Sequence, residues 1–163
     1  MCNWKIRKIL NPTRYLCTDN AAALTGKIRN KLKFSRMDPR GVVIKSSKYT
    51  VHESVDRIQH FLESQGATIY ARIDQQSELR NAGLSIPPLE FILFGKPKAG
   101  GPLMIDNPVS ALDLPLKIVA FEDKEQKVWL AYNEAGYIRQ RYDLPEAIST
   151  PLNLDPIIAK ALE

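Results

Sequence analysis

The chain predicts an α+β fold: a single, mostly antiparallel five-stranded sheet with helices packed on one face. Three observations lead there. Val51, Val55, Ile58 and Leu62 recur at i, i+4, i+7 and i+11, the spacing of one helix face. Ala67 to Asp74, ATIYARID, alternates apolar and polar residues, as a strand with one open face does. Pro115 to Asp123 and Lys127 to Asn133 are two strand-like runs joined by the charged turn Lys124-Glu125-Gln126, which reads as a hairpin without the usual Asn-Gly signal. With helices on one face, the other must be solvated, covered by a ligand or paired with a second subunit.

Each element has its own warrant. Gly41 to Ser46, GVVIKS, is β-rich and predicts an edge strand. Thr50 and Glu53 make a T-x-x-E capping box ahead of the first helix, with Gly66 placed to end it in the left-handed region. In the next strand Ala67, Ile69, Ala71 and Ile73 take one face; Thr68, Tyr70, Arg72 and Asp74 take the other. Gln75 to Ala82 predicts a short helix closed by Gly83, and Pro87-Pro88 forbids helix beyond it. Leu89 to Phe94 shows no alternation, so it is expected to be a central strand covered on both faces. A glycine-rich turn follows, with a helix expected to begin near Pro102 and a loop over Ile105 to Asp113. Helices are expected over Glu134 to Tyr142 and Asp155 to Leu162.

Composition narrows the function classes. A chain of 163 residues with 44% apolar and 25% charged residues is ordinary for a globular protein, and no apolar run approaches the ~20 residues of a membrane span. Residues 1–40 carry ten Lys and Arg against two acidic residues, a net +8; residues 41–163 carry 13 basic against 16 acidic, a net −3. The body of the chain therefore has no general attraction for nucleic acid. The leader reads as a disordered basic segment, as an amphipathic contact for anionic membranes or nucleic acid, or as an extension upstream of a start at Met37. Both cysteines, Cys2 and Cys17, lie in that leader, which favours a reduced cytoplasmic setting.

Two stretches carry the candidate chemistry. Gly95, Lys96, Lys98, Gly100 and Gly101 form a glycine-rich corner that could bring backbone amides and two cations to a small anion, although it lacks the Lys-Ser or Lys-Thr of a phosphate loop. The alternative is a turn whose glycines supply positive φ angles. Trp129, Tyr132 and Asn133, with Tyr137 and Arg141, could line a small-molecule pocket or belong to the core or a dimer interface. Asp74 could accept a hydrogen bond from Arg141 or from the glycine corner and serve there as a base. His52 and Glu53 begin like a zinc-binding H-E-x-x-H, but Asp56 stands at the second His position, and no metal or cofactor is expected.

Four blocks, HESVDRIQHFLESQGATIYARID, FGKPKAGGPLM, LDLPLKIVAFED and KVWLAYNEAGYIRQRYDL, resemble the bacterial and archaeal family called domain of unknown function 302. The resemblance covers residues 41–163 and implies a TATA-binding-protein-like fold (β-α-β4-α, here with an extra short helix) and homodimers, with no established activity. The fold analogy carries no implication of DNA binding. This chain has Gln75, Lys96 and Gly101 where the family commonly has His, Asn and Thr, so chemistry resting on that His or Thr is not implied here. The combined expectation is a cytoplasmic homodimeric domain that binds a small ligand or a protein partner. The alternative is an enzyme that positions a small anionic substrate on residues 95–101.

Overall fold

The computed structural model describes residues 39–163. The expectations for the leader concern residues outside that range, apart from its last two. In chain order the elements are β1 (Val42–Ser47), α1 (Val51–Ser64), β2 (Thr68–Asp74), α2 (Gln75–Asn81), β3 (Leu89–Gly95), α3 (Pro97–Asp106), β4 (Leu116–Glu122), β5 (Val128–Asn133), α4 (Ala135–Tyr142), α5 (Glu146–Ser149) and α6 (Asp155–Ala161). The five strands form one sheet in the order β1-β5-β4-β3-β2, and every neighbouring pair is antiparallel. Among the described residues, no helix is long and apolar enough to cross a membrane.

The first helix starts as its sequence dictates. The Glu53 amide donates to Thr50 Oγ1 at 3.2 Å, and the Thr50 amide donates to Glu53 Oε2 at 3.0 Å. This satisfies two donors that a helix start otherwise leaves open. Val51, Val55, Ile58 and Leu62 are all buried. They meet Ile92 and Phe94 of β3, Ile118 and Ala120 of β4, Leu130 and Tyr132 of β5, and Leu154 and Ile158 at the C-terminal end of the chain. A second core cluster at one end of the sheet gathers Leu103, Ile138, Tyr142, Leu144 and Leu152, and Leu116 touches both clusters.

Three expectations are corrected. First, β2 does not keep one alternation. Its pairing with β3 shifts between Ile69 and Ala71, so Ile69 and Arg72 share the helix-covered face while Ala71 and Ile73 turn to the other. Second, β3 is covered on one face and β4 is the central strand. Glu90, Ile92 and Phe94 are buried beneath the helices, whereas Leu89, Phe91 and Leu93 are half-buried on the opposite side. The run looks uniformly apolar because the far side of the sheet is apolar too. Third, the glycine-rich segment is helical. α3 begins at Pro97, encloses Pro102 and ends at Asp106. Proline at a first helical position has its φ already set and no amide to lose, and the fully buried Leu103 ties the segment to the second cluster. Much of the expected loop beyond it is a 3-10 helix over Pro108–Leu112.

The face away from α1 and α6 is built of cross-strand rows. Ile44, Ala131, Val119, Phe91 and Ile73 lie side by side across all five strands. Trp129, Phe121 and Leu89 form a parallel row. None of these residues belongs to either core cluster.

Candidate functional site

The two core clusters do not close completely on one another. Between them lies a cavity of about 440 Å³ bounded by the ends of β2 and β3, the inner side of α3, the start of β4 and the segment leading into α6. Of its eighteen lining residues, only Tyr70 and Lys96 have polar side chains. Leu103, Leu116, Leu152 and Ile157 form much of the apolar wall.

Local structure places the two polar residues at the mouth. The β2 irregularity leaves Tyr70 as the residue without a partner in the ladder, between the pairs Ile69–Phe94 and Ala71–Leu93. A bulge of this kind re-aims a side chain, and Tyr70 is 52% exposed. A β-carbon added to Gly95 would lie 3.5 Å from Tyr70 Cε2, so the phenol ring rests over that glycine, next to Lys96 in the chain. Lys96 is the exposed residue that precedes α3.

The glycines do not serve as positive-φ hinges. Among the described residues the positive-φ glycines are Gly41, Gly66 and Gly83, a set that contains none of Gly95, Gly100 and Gly101. Gly100 lines the cavity, and a β-carbon there would meet only the Met104 methyl, at 3.9 Å; at Gly101 it would meet nothing within 4 Å. A glycine inside a helix costs roughly 0.5–1 kcal/mol relative to alanine. With φ unrestricted and space available, the lack of a side chain at Gly100 leaves the cavity wall open. The N-terminal amides of α3 are also partly committed: Ala99 and Gly100 both donate to the Lys96 carbonyl, at 2.8 and 2.9 Å. Pro97 has no amide to offer. The cation of Lys96, more than a ring of free amides, gives this corner its charge.

The remaining candidate residues occupy other places. Lys98 is exposed on α3 and Gly101 follows Gly100; neither lines the cavity. Asp74 caps α2, accepting from the Ser77 hydroxyl at 2.6 Å and the Ser77 amide at 3.0 Å. Those bonds, the hydroxyl's first, hold its carboxyl below the ordinary carboxylate range, which weakens it as a base. Trp129 Nε1 donates to Asp123 Oδ2 at 2.8 Å. That carboxylate also accepts the Glu125 and Lys127 amides, at 2.8 and 3.0 Å, and so organises the hairpin turn that lacked an Asn-Gly pair.

Asn133 and Arg141 are brought together by a residue the sequence did not single out. Asp113 accepts from Asn133 Nδ2 at 3.2 Å, from Arg141 Nη1 at 3.1 Å and from the Tyr142 hydroxyl at 2.6 Å. Its partners are distant in the chain, so only the LDLPL block of the family resemblance pointed to it. Leu114, Pro115 and Leu116 follow it directly and line the cavity. Asp113 thus anchors one wall of the cavity to β5 and α4. Neither Asp74 nor Arg141 reaches the cavity. Among the described residues, no group of three His, Cys, Asp or Glu side chains is placed to hold a metal ion.

Comparison with known proteins agrees with this architecture. A solved structure of an uncharacterized conserved DUF302 protein from Bacillus stearothermophilus superposes with a TM-score of 0.63 at 13% identity, covering 76% of this chain and 97% of that one. At that identity the likeness is one of fold. Among curated proteins, the chain is 38% identical over 104 residues to a protein of Brucella suis biovar 1 named fluoride-specific ion channel FluC 1. It is equally similar over 104 residues to fluoride-specific ion channel FluC 2 of Brucella melitensis biotype 1. The match takes in 64% of this chain in both cases, and the chain spans only 41% and 38% of the lengths of those two relatives. The family model described as "Domain of unknown function DUF302" matches residues 43–161, and the chain belongs to that family.

Proposed function

We propose that this domain binds a small, mainly apolar ligand in the cavity beside α3, and that it does so as a cytoplasmic homodimer. The observation that carries the reading is the cavity itself. About 440 Å³ is left between the two cores as a solvent-connected hollow with an almost wholly apolar lining. That volume falls within the range of small-molecule pockets, which are mostly apolar with a few placed polar groups. The glycine at position 100 adds to the case, because a larger residue there would improve the helix and narrow the space.

The homodimer rests on the half-buried apolar rows of the open sheet face and on the family resemblance. The cytoplasmic setting rests on the confinement of both cysteines to residues 1–40.

Titration with the neutral fluorophore N-phenyl-1-naphthylamine tests the ligand reading. The wild type should show saturable enhancement at one site per chain. Gly100→Leu should abolish most of it while keeping the circular dichroism spectrum of the wild type and a thermal midpoint no lower than the wild type's. Enhancement that survives Gly100→Leu unchanged would place the dye elsewhere and remove the case for the cavity.

A further inference from the structure

We infer that the ligand is a single-chain amphiphile with an anionic head, its chain in the cavity and its head between Lys96 and Tyr70; the inference rests on the cavity being the binding site. The distribution of polar groups carries it. The wall is made of leucines, prolines, Phe94, Met104 and Ile157, with no polar side chain apart from Tyr70 and Lys96. A ligand rich in hydroxyls or amides would therefore leave its polar groups unpaired inside, which is costly. An alkyl chain has none to leave.

The mouth has the opposite character. Tyr70 is brought there by the bulge and rests over Gly95, and Lys96 follows Gly95. An ammonium and a phenol on one rim offer a positive charge and a donor to a single head group. Among the described residues, the Lys and Arg side chains in ion pairs are Lys45, Arg72, Lys127, Arg139 and Arg141, so Lys96 is uncommitted. Asp74 lies at the other end of β2, opposite Glu90, and is taken up by Ser77 at the start of α2. A cationic or zwitterionic head would meet Lys96 with no carboxylate beside it among the cavity-lining residues. A carboxylate or a phosphate monoester shares the required chemistry, and the choice between them is a question of head-group size.

Competition against the same neutral fluorophore decides the matter, using decanoate, decyl phosphate, decanol, acetate and inorganic phosphate on the full chain. Decanoate or decyl phosphate should compete better than decanol at low salt, and the tighter of the two identifies the head. Lys96→Ala should weaken the anionic amphiphiles by roughly fivefold, the size expected of an exposed ion pair, and leave decanol unchanged. Raising the salt should reproduce that loss in the wild type. Acetate and inorganic phosphate should not compete. Decanol equal to decanoate, or inorganic phosphate competing as well as decyl phosphate, would overturn the anionic-amphiphile assignment while leaving the cavity reading intact. Competition by all three decyl compounds that is indifferent to Gly100→Leu would instead bring down the cavity reading and this inference with it.

Discussion

Arg72 and Glu90 form a partly buried ion pair on the helix-covered side of the sheet, with the Arg72 Nε–H donating to the Glu90 carboxylate. Glu90 is 6% exposed, in a position its strand otherwise gives to Ile92 and Phe94. The same guanidinium reaches Asp56 Oδ1 at 2.5 Å and Gln59 Oε1 at 3.3 Å on α1. His52 Nδ1 stands 3.2 Å from Glu90 and 3.1 Å from Arg72, so according to its tautomer it accepts from the guanidinium or donates to the carboxylate. The bulge in β2 is what brings Arg72 to this side. Removing one charge of a buried pair leaves the other uncompensated.

Arg72→Met should therefore destabilise the fold by about 3 kcal/mol, read as a lower midpoint in chemical denaturation. Arg72→Met combined with Glu90→Leu should recover most of the loss, since the orphaned carboxylate is gone. A double variant no more stable than the single one would show that the pair is not the source of the effect.

Tyr132 and Asp155 give stability a pH dependence at both ends. The Tyr132 hydroxyl donates to Asp155 Oδ1 at 2.6 Å, and Lys45 Nζ lies 2.5 Å from the same oxygen. The bond from Lys45 first, and then that from Tyr132, holds the Asp155 carboxyl below its ordinary value of 3.8. A folded pKa below the unfolded one contributes stability that is present above 3.8 and lost as the pH falls through the folded value. Burial, and then the bond to Asp155, pushes the Tyr132 phenol above its ordinary 10.0, which has the opposite sense. Its contribution is full below pH 10.0 and is lost as the pH rises through the folded value. Tyr132→Phe should cost about 1–2 kcal/mol at neutral pH. It should also flatten the fall in thermal midpoint as the pH rises above about 10. Equal slopes for wild type and variant would assign the alkaline loss to another group.

The parts of this fold that were legible are those whose cause is local. Thr50 and Glu53 are three residues apart, and Val51, Val55, Ile58 and Leu62 lie along one helix face, so α1 could be placed with its cap. The hairpin of β4 and β5 was legible from β-rich runs on either side of a short turn. The bulge was not, because TIYARID alternates whether or not the pairing slips at Tyr70, and the slip is a property of the β3 partner. α3 was expected to begin late because two prolines and two glycines argue against a helix; burial of Leu103 in another part of the chain outweighs that propensity. The candidate residues divided in the same way. Gly95, Lys96 and Gly100, neighbours in sequence, share a wall. Asp74 and Trp129 went to separate local tasks, Arg141 went to Asp113, and Asp113, whose partners are 20 to 29 residues away, left no signal of its own.

Gly41 is held by a close approach. Its φ is +76°, and a β-carbon there would lie 2.1 Å from Tyr137 Cγ. Its carbonyl accepts the Glu134 amide at 2.9 Å, so the start of β1 is fastened beneath α4. Gly41→Ala should cost about 2–4 kcal/mol, combining backbone strain with displacement of the ring. The double variant Gly41→Ala/Tyr137→Ala separates the two causes in a denaturation cycle. The part due to the ring should be relieved and the part due to φ should remain, about 1–2 kcal/mol. Full additivity of the two single losses would mean that the ring is not what excludes a side chain here.

The open sheet face makes the proposed homodimer testable. Val119 sits near its middle, flanked by Ala131 on β5 and Phe91 on β3. Trp129 and Phe121 face each other in the next row, and Lys117 Nζ stands 5.0 Å from the centre of the Phe91 ring at the margin. A stable dimer needs roughly 800 Å² from each partner, which a five-stranded face can offer. A second copy would bury apolar rows against one another and keep the lysine near the rim, where its charge stays hydrated. Val119→Lys should cost the isolated fold under about 1 kcal/mol, because the side chain points away from the core. In a dimer the same change would set two ammonium groups facing one another inside an apolar interface, which is far more costly. Size-exclusion chromatography with light scattering should therefore show the wild type at twice the chain mass and Val119→Lys at the chain mass, with unchanged circular dichroism. A wild type at the mass of one chain, or a variant that stays paired, would remove this face as the dimer contact.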